Sequence, residues 1–243
     1  MKTSNIVDFH SHCLPQMDDG AVDMAESLAM LEKALEQGVN TLVATPHFYG
    51  RDEQELEAFL SLRNLRLKQL RSAVAASPAL VGRVRILAGA EVLVQEGVSR
   101  LPLERLCIEG SRRILLELPF SFRPMWLYEE LERIAYRQNL RPVMAHLDRY
   151  RPWYTREHIA DLLELPHVWI QLNGEAIERR RDITRLAKWL PRELPMVFGS
   201  DMHHVETRGQ VLGHTCRILR KSRQGRLWLQ SAQAIRPNYD ENP

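Results

Sequence analysis

Val7-Asp8-Phe9-His10-Ser11-His12, followed by Asp18-Asp19-Gly20, is the stretch from which the fold can be read. Ile6, Val7 and Phe9 are apolar and predict a short buried strand. Side chains alternate along a strand, so His10 and His12, two residues apart at its end, point the same way. One such pair can make two metal bonds, but alone it is a weak signal. Its weight comes from recurrence: nearly every later strand ends on an imidazole or a carboxylate.

The chain in order shows that recurrence. Residues 21–38 carry Met24, Leu28, Leu31 and Leu35 at helical spacing, stopped by Gly38. Asn40 to Thr45 reads as a buried strand ending at Pro46-His47. A long helix is expected over 53–76, with Leu56, Leu60, Leu67, Leu70 and Val74 on one stripe and Pro78 after it. Val84 to Ala88 is a strand with Gly89-Ala90-Glu91 at its tip, and Arg113 to Leu118 is a strand containing Glu117. Helices are expected over 125–139, 155–164 and 176–190. Between them Pro142 to Ala145 delivers His146, and Val168 to Leu172 delivers Asn173-Gly174. Met196 to Gly199 ends in Ser200-Asp201-Met202-His203, and two helices and a polar tail follow.

Strand and helix alternate about seven times, and the strands are short apolar runs. That pattern specifies parallel strands in βα units. An open doubly wound sheet places ligands at one switch point, whereas a closed barrel gathers all its strand ends into one ring. Polar residues at nearly every strand end favour the barrel, here a distorted (β/α)7 barrel forming a single domain over residues 1–243.

The 243 residues are 44% hydrophobic and 26% charged with net charge +2, ordinary for a globular protein and against nucleic acid as the main partner. Arg179-Arg180-Arg181 and the Arg217 to Arg226 stretch read as solvated helix faces. Cys13, Cys107 and Cys216 are odd in number and widely spaced, which excludes a disulfide framework and a cysteine zinc cluster. The N-terminus leads straight into the first strand, and no apolar run approaches the ~18 residues needed to span a bilayer. A cytoplasmic protein without membrane insertion is expected.

The strand-end set is His10, His12, Asp19, His47, Glu91, Glu117, His146, Asp201 and His203. Nine nitrogen and oxygen donors are too many for one ion and suit two or three. Mixed imidazole and carboxylate suits Mn²⁺, Fe²⁺ or Zn²⁺ in a catalytic cluster with open positions. Glu91 follows two small residues and can bring both carboxylate oxygens close, which makes it the candidate bridge. His158, His167, His204 and His214 fall outside the pattern.

The HxH strand, DDG, ATPH, GAE, LLELP, AHLDRY, QLN and GSDMHH together resemble the PHP (polymerase and histidinol phosphatase) superfamily. In order and spacing they are similar to its bacterial capsular and exopolysaccharide tyrosine-protein phosphatases, over residues 5–210. The resemblance implies a distorted (β/α)7 barrel with a three-metal site held by the nine residues above. It also implies phosphate binding by Arg149 and Arg208. The substrate implied is a phosphotyrosyl protein, with the tyrosine kinase of polysaccharide export as partner; the oligomeric state is left unassigned. Two departures stand out: Asp148 stands where the family often has Glu, and the usual Asn-Pro segment is blurred into Arg236-Pro237-Asn238.

The chemistry these parts imply is phosphomonoester hydrolysis by a metal-activated hydroxide. Arg149 and Arg208 would clamp the phosphoryl oxygens through forked hydrogen bonds, and Asp201, His203 or a metal-bound water could protonate the leaving phenolate. Histidinol-phosphate phosphatase, from another branch of the superfamily, is the alternative activity, and a non-catalytic protein with a residual metal site is a further one. Cys107-Ile-Glu-Gly-Ser-Arg-Arg113 also matches the Cys-x5-Arg pattern of cysteine phosphatases. There the thiolate needs a phosphate cradle between a strand and a helix N-terminus, whereas here Arg113 opens a strand.

Overall fold

The computed structural model describes residues 6–190 and 195–234. The Arg236-Pro237-Asn238 segment lies outside them. The strands are β1 (Ile6–Ser11), β2 (Val39–Ala44), β3 (His47–Phe48), β4 (Arg85–Ala88), β5 (Glu91–Leu93), β6 (Arg113–Glu117), β7 (Arg141–Met144), β8 (Trp169–Asn173) and β9 (Met196–Gly199). The α-helices are α1 (Met24–Glu36), α2 (Glu53–Ala76), α3 (Leu127–Glu132), α4 (Arg156–Leu163), α5 (Arg180–Trp189), α6 (Leu212–Leu219) and α7 (Arg223–Ala234). The alternation expected from the sequence is present, and every strand pair is parallel.

Two strand positions are split. Pro46, which has no N–H to donate, separates β2 from β3. Gly89-Ala90 separates β4 from β5, and a Cβ on Gly89 would come within 2.9 Å of the Val43 side chain. The pairing runs β1-β2-β4 in one sheet and β3-β5-β6-β7-β8-β9 in the other. The ring then closes on itself. Asp201 N–H donates to the His10 carbonyl at 2.8 Å, and His12 N–H donates to the Met202 carbonyl at 2.9 Å.

The core has the two layers that such a ring requires. Phe9, Val43, Leu87, Leu115, Val143 and Val197, from six different strands, pack together inside. A larger cluster lies between strands and helices and takes in Leu42, Ile86, Leu116, Met144, Ile170 and Phe198 with the α2 stripe Leu56, Leu60, Leu67, Leu70 and Val74. The helices start where capping side chains satisfy their first N–H groups. Asp23 accepts from Glu26 N–H and Asp52 from Glu55 N–H, each at 2.8 Å. Thr155 caps α4 together with His158.

The boundaries differ from expectation in two places. The segment expected as one helix over 125–139 is α3 followed by a wider π-type turn, Arg133–Arg137. The helix expected from 176 begins at Arg180, after a tight turn at Gly174–Ala176. Arg179, Arg180, Arg181, Arg217, Arg220 and Arg226 are exposed, the solvated faces expected of them. No helix among the described residues is long and apolar enough to cross a membrane.

Candidate metal centre and active site

β1 aims its histidines through a bulge. Asp8 pairs with Leu42 and Ser11 with Ala44, so β1 spends one residue more than β2 between the two pairs. Phe9 faces the barrel interior, and the extra residue lets His10 and His12 face it too. Close approach at this point is tight: a Cβ on Gly199 of β9 would collide with the His10 Cβ.

All nine predicted ligands gather at this end of the ring. Glu91 is at the centre and is buried. Its Oε1 lies 2.7 Å from His146 Nε2, and its Oε2 lies 3.1 Å from His10 Nε2, 3.0 Å from His47 Nδ1 and 3.5 Å from His12 Nε2. Asp201 Oδ1 stands 3.5 Å from His10 Nε2, 3.4 Å from His12 Nε2 and 3.6 Å from His203 Nδ1. Asp19, on the loop after β1 and 64% exposed, reaches His47 Nε2 at 3.4 Å and His203 Nε2 at 3.3 Å. Glu117 sits at the rim, 3.5 Å from His146 Nε2. Three overlapping groups emerge: His12 with Asp19, His47 and His203; His10 with His12 and Asp201; and His47 with Glu91 and Glu117.

These spacings fit shared cations. Ligand atoms bonded to one ion at about 2.0–2.2 Å stand roughly 2.8–3.6 Å from one another. His47 Nδ1 and Glu91 Oε2 are 3.0 Å apart, yet both are buried with no hydrogen-bond partner, and His203 Nε2 is likewise buried without one. Orphaned buried polar atoms are costly, and a divalent ion would satisfy them. The donor set holds imidazole and carboxylate and no thiolate, which suits Mn²⁺, Fe²⁺ or Zn²⁺.

A family model described as capsular polysaccharide synthesis, CpsB/CapC, matches residues 6–231. The chain belongs to the CpsB/CapC family. Among its relatives, the tyrosine-protein phosphatase CpsB of Streptococcus agalactiae is 24% identical over 96% of this chain and 99% of its own. The tyrosine-protein phosphatase YwqE of Bacillus subtilis is 30% identical over 60% of this chain and 56% of its own. A chain from the crystal structures of YwqE from Bacillus subtilis and CpsB from Streptococcus pneumoniae, described as unique metal-dependent tyrosine phosphatases, shares the fold. It has a TM-score of 0.72 and 22% identity, covering 96% of this chain and 95% of its own.

In this CpsB/CapC protein the electrostatics centre on the two inner carboxylates. Burial opposes charge on Glu91, but His10, His12 and His146 hold its carboxyl well below the usual carboxylate range. Burial opposes charge on Asp201 too, and His10, His12 and Arg149 drive it far down. Protons are recruited in return. Despite burial, Asp18, Asp201 and Glu91 hold His12 well above its ordinary value, and Glu117 with Glu91 raises His146 to about 9. Burial and the neighbouring His12 push His203 down to about 4. A divalent cation would take over the charge those protons supply and release them.

The two arginines converge on one atom. Arg149 Nη2 lies 2.8 Å and Arg208 Nη2 3.1 Å from Asp201 Oδ2. Asn173 donates its side-chain amide to the same oxygen at 3.0 Å. His146, Asp201 and Arg208 have positive φ, at 29°, 53° and 51°, so three of the six non-glycine residues in this strained region among the described residues belong to the site.

Several residues that hold the site together were not among the predicted ones. Asp18, not only Asp19, matters: its Oδ2 lies 2.7 Å from His12 Nδ1 and accepts the His47 N–H at 3.0 Å. Gln171 uses one oxygen for two jobs, meeting His10 Nδ1 at 3.0 Å and accepting His146 N–H at 2.6 Å. The signal for Gln171 and Asn173 was present, since two polar side chains spaced by two interrupt an apolar strand and must share the inner face. Cys107 lies apart from the site. It is buried before β6, and Arg113 opens that strand with its guanidinium over the Trp169 ring, while Glu117 ends it. No phosphate cradle forms between Cys107 and Arg113, because Ile108 N–H is spent on the Arg113 carbonyl at 2.8 Å. His204 pairs with Glu26 and His214 with the Glu178 carbonyl, ordinary surface contacts.

Proposed function

We propose that this protein is a metal-dependent protein-tyrosine phosphatase, a phosphoric monoester hydrolase acting in capsular or exopolysaccharide synthesis. The observation that carries the reading is the convergence of nine imidazoles and carboxylates on one end of the ring, with two guanidiniums beside them, in a chain of the CpsB/CapC family. His10, His12, Asp19, His47, Glu91, Glu117, His146, Asp201 and His203 would hold two or three divalent ions, with Mn²⁺ our first choice. When bound, such ions lower the pKa of water from 15.7 to about 7 and so make a nucleophile available at neutral pH.

The chain's own residues do the rest. Asp18 and Gln171 fix the ring orientations of His12 and His10 through their Nδ1 atoms, leaving Nε2 turned toward Glu91 and Asp201. Arg149 and Arg208 would bind the phosphoryl oxygens; their planar forks match two oxygens each. Asp201 pre-orders both guanidiniums before substrate arrives. As ligands, Asp201 and His203 would be held deprotonated, which makes both poor proton donors to a leaving group. A phenolate, with a parent pKa near 10, needs that help far less than an alkoxide. The site therefore favours phosphotyrosine over alkyl phosphates such as histidinol phosphate.

The substrate protein we propose is the tyrosine kinase of polysaccharide export, in the cytoplasm, where three cysteines at wide spacing are at home. The test is turnover by metal-stripped protein re-loaded with Mn²⁺, Fe²⁺ or Zn²⁺, with phosphotyrosyl peptide and histidinol phosphate as substrates. Activity that returns only with metal and favours the peptide is expected. Faster turnover of histidinol phosphate, or inertness with all three metals, overturns the reading.

A further inference from the structure

Beside the metal centre, Tyr49 and Phe120 line one cavity of about 830 Å³, with Glu117 and Trp126 also in its wall. Each ring stacks, offset, on a different imidazole of the site. Tyr49 stacks on His47 at 5.2 Å between centroids and 19° between planes, and Phe120 on His146 at 5.6 Å and 21°. Both are surface aromatics, 52% and 44% exposed, at positions where a core role would bury them.

Both are also held in place. Gln95 donates to the Tyr49 carbonyl at 2.9 Å and accepts from Arg51 at 3.0 Å. Phe120 stacks on Tyr150 at 5.0 Å, and the Tyr150 hydroxyl is tied to both N–H and C=O of Leu118 at 2.9 Å. Rings ordered before binding cost little entropy when a ligand arrives.

Their place on the ring matters. Arg149 follows β7 and Arg208 follows β9, whereas Tyr49 follows β3 and Phe120 follows β6. The rings thus follow the strands on either side of β5, which carries Glu91, and the guanidiniums follow β7 and β9 in the next arc of the ring. A phosphoester whose phosphoryl group meets the arginines extends its organic half toward the aromatic side. We infer that Tyr49 and Phe120 form an aryl slot that receives the phenyl ring of phosphotyrosine and sets the preference for aryl over alkyl esters. Offset or edge-to-face packing suits such a guest. The cavity is larger than one ring, which leaves room for flanking peptide residues along Arg51, Gln95 and Trp126.

This inference rests on the phosphotyrosine reading above, and its test separates the two. Binding of phenylphosphonate and methylphosphonate, neither of which can be hydrolysed, is measured by calorimetry on the metal-loaded protein. The measurement is repeated for Tyr49→Phe, Tyr49→Ala, Phe120→Ala and the double alanine variant, each with its metal content determined. We expect the parent protein to prefer phenylphosphonate by tenfold or more. The preference should be kept in Tyr49→Phe and should fall to within about threefold in the double variant at full metal content, with KM for phosphotyrosyl peptide rising accordingly. A preference that survives in the double variant overturns the slot. So does loss of affinity for both phosphonates by the same factor, or an equal loss in Tyr49→Phe and Tyr49→Ala. A parent protein that hydrolyses phosphotyrosyl peptide without any phenyl preference sinks the slot alone; one that prefers phenylphosphonate but turns over no phosphotyrosine sinks the activity alone.

Discussion

Asp8 holds Ser200 across the closure of the barrel, binding both its groups. Oδ1 accepts the Ser200 N–H at 2.8 Å and Oδ2 the Ser200 hydroxyl at 2.6 Å. The same carboxylate accepts from Gln210 at 2.7 Å and from His10 N–H at 3.2 Å. Burial raises its pKa against the pull of these donors, Ser200 foremost. β1 and β9 are thereby locked together where His10 and Asp201 leave the ring. Asp8→Asn replaces one accepting oxygen with an NH₂ group facing Ser200 and Gln210. A loss of about 1–3 kcal/mol is expected, the cost of leaving buried donors unsatisfied, read as a lower urea midpoint with unchanged slope.

Asp18 is expected to govern metal affinity from behind His12, without being a ligand itself. Asp18→Asn would loosen the orientation of His12 and lower metal affinity by roughly 10–100-fold, as loss of a partner behind a ligand does. The pH dependence of the metal-free protein checks the same pair. Burial opposes charge on Asp18, but the His12 hydrogen bond and charge bring its pKa from 3.8 down to about 2. A depressed carboxyl stabilises above its unfolded pKa and loses that contribution as pH falls through the folded one. The stability gap between parent and Asp18→Asn should therefore be full above about pH 4 and shrink toward pH 2. A gap that stays constant over that range refutes the pairing.

Cys107→Ser should leave kcat within a few-fold. The thiol is buried at the start of β6, at the far end of that strand from Glu117. A loss of two decades or more would revive a thiolate mechanism against the metal-centred one.

Much of this was legible because alternation is a strong signal. The order of strands, the residues at their tips and the α2 stripe all follow from spacing, and the ring brings the nine tip residues together. What escaped was set by long-range contact. The extra residue at Phe9-His10 exists because β1 must pair with β2 on one side and meet Met202 on the other. The sequence ends two strands at Pro46-His47 and Gly89-Ala90-Glu91; that pairing resumes beyond these breaks as β3 and β5 of the other sheet is set by partners distant in the chain. Asp18 and Asp19 are chemically identical in sequence; only the fold turns one behind His12 and the other toward His47 and His203.

The arginines give a test of roles. Replacing Arg149 or Arg208 by Lys keeps the charge but loses the planar fork. Activity on phosphotyrosyl peptide should fall at least tenfold with bound metal unchanged. If Arg149→Lys sheds metal instead, its work is to hold Asp201, whose Oδ2 it meets at 2.8 Å, and not the phosphate.

Glu91 carries the sharpest expectation. Its Oε1 faces His146, and its Oε2 faces His10, His12 and His47, so the two oxygens look into different halves of the cluster. A carboxylate placed this way can bridge two ions, where a neutral imidazole nitrogen binds one. Glu91→Gln removes a charge and weakens one oxygen as a ligand with almost no change in volume. The barrel interior around Phe9, Leu115 and Val143 is untouched, so the circular dichroism spectrum should match that of the parent. We expect loss of more than one equivalent of metal and nearly all turnover, with elemental analysis and activity measured on the same sample. Retention of the full metal complement, or loss of a single ion with most activity kept, would show that Glu91 serves one ion only and that the cluster is joined through another residue.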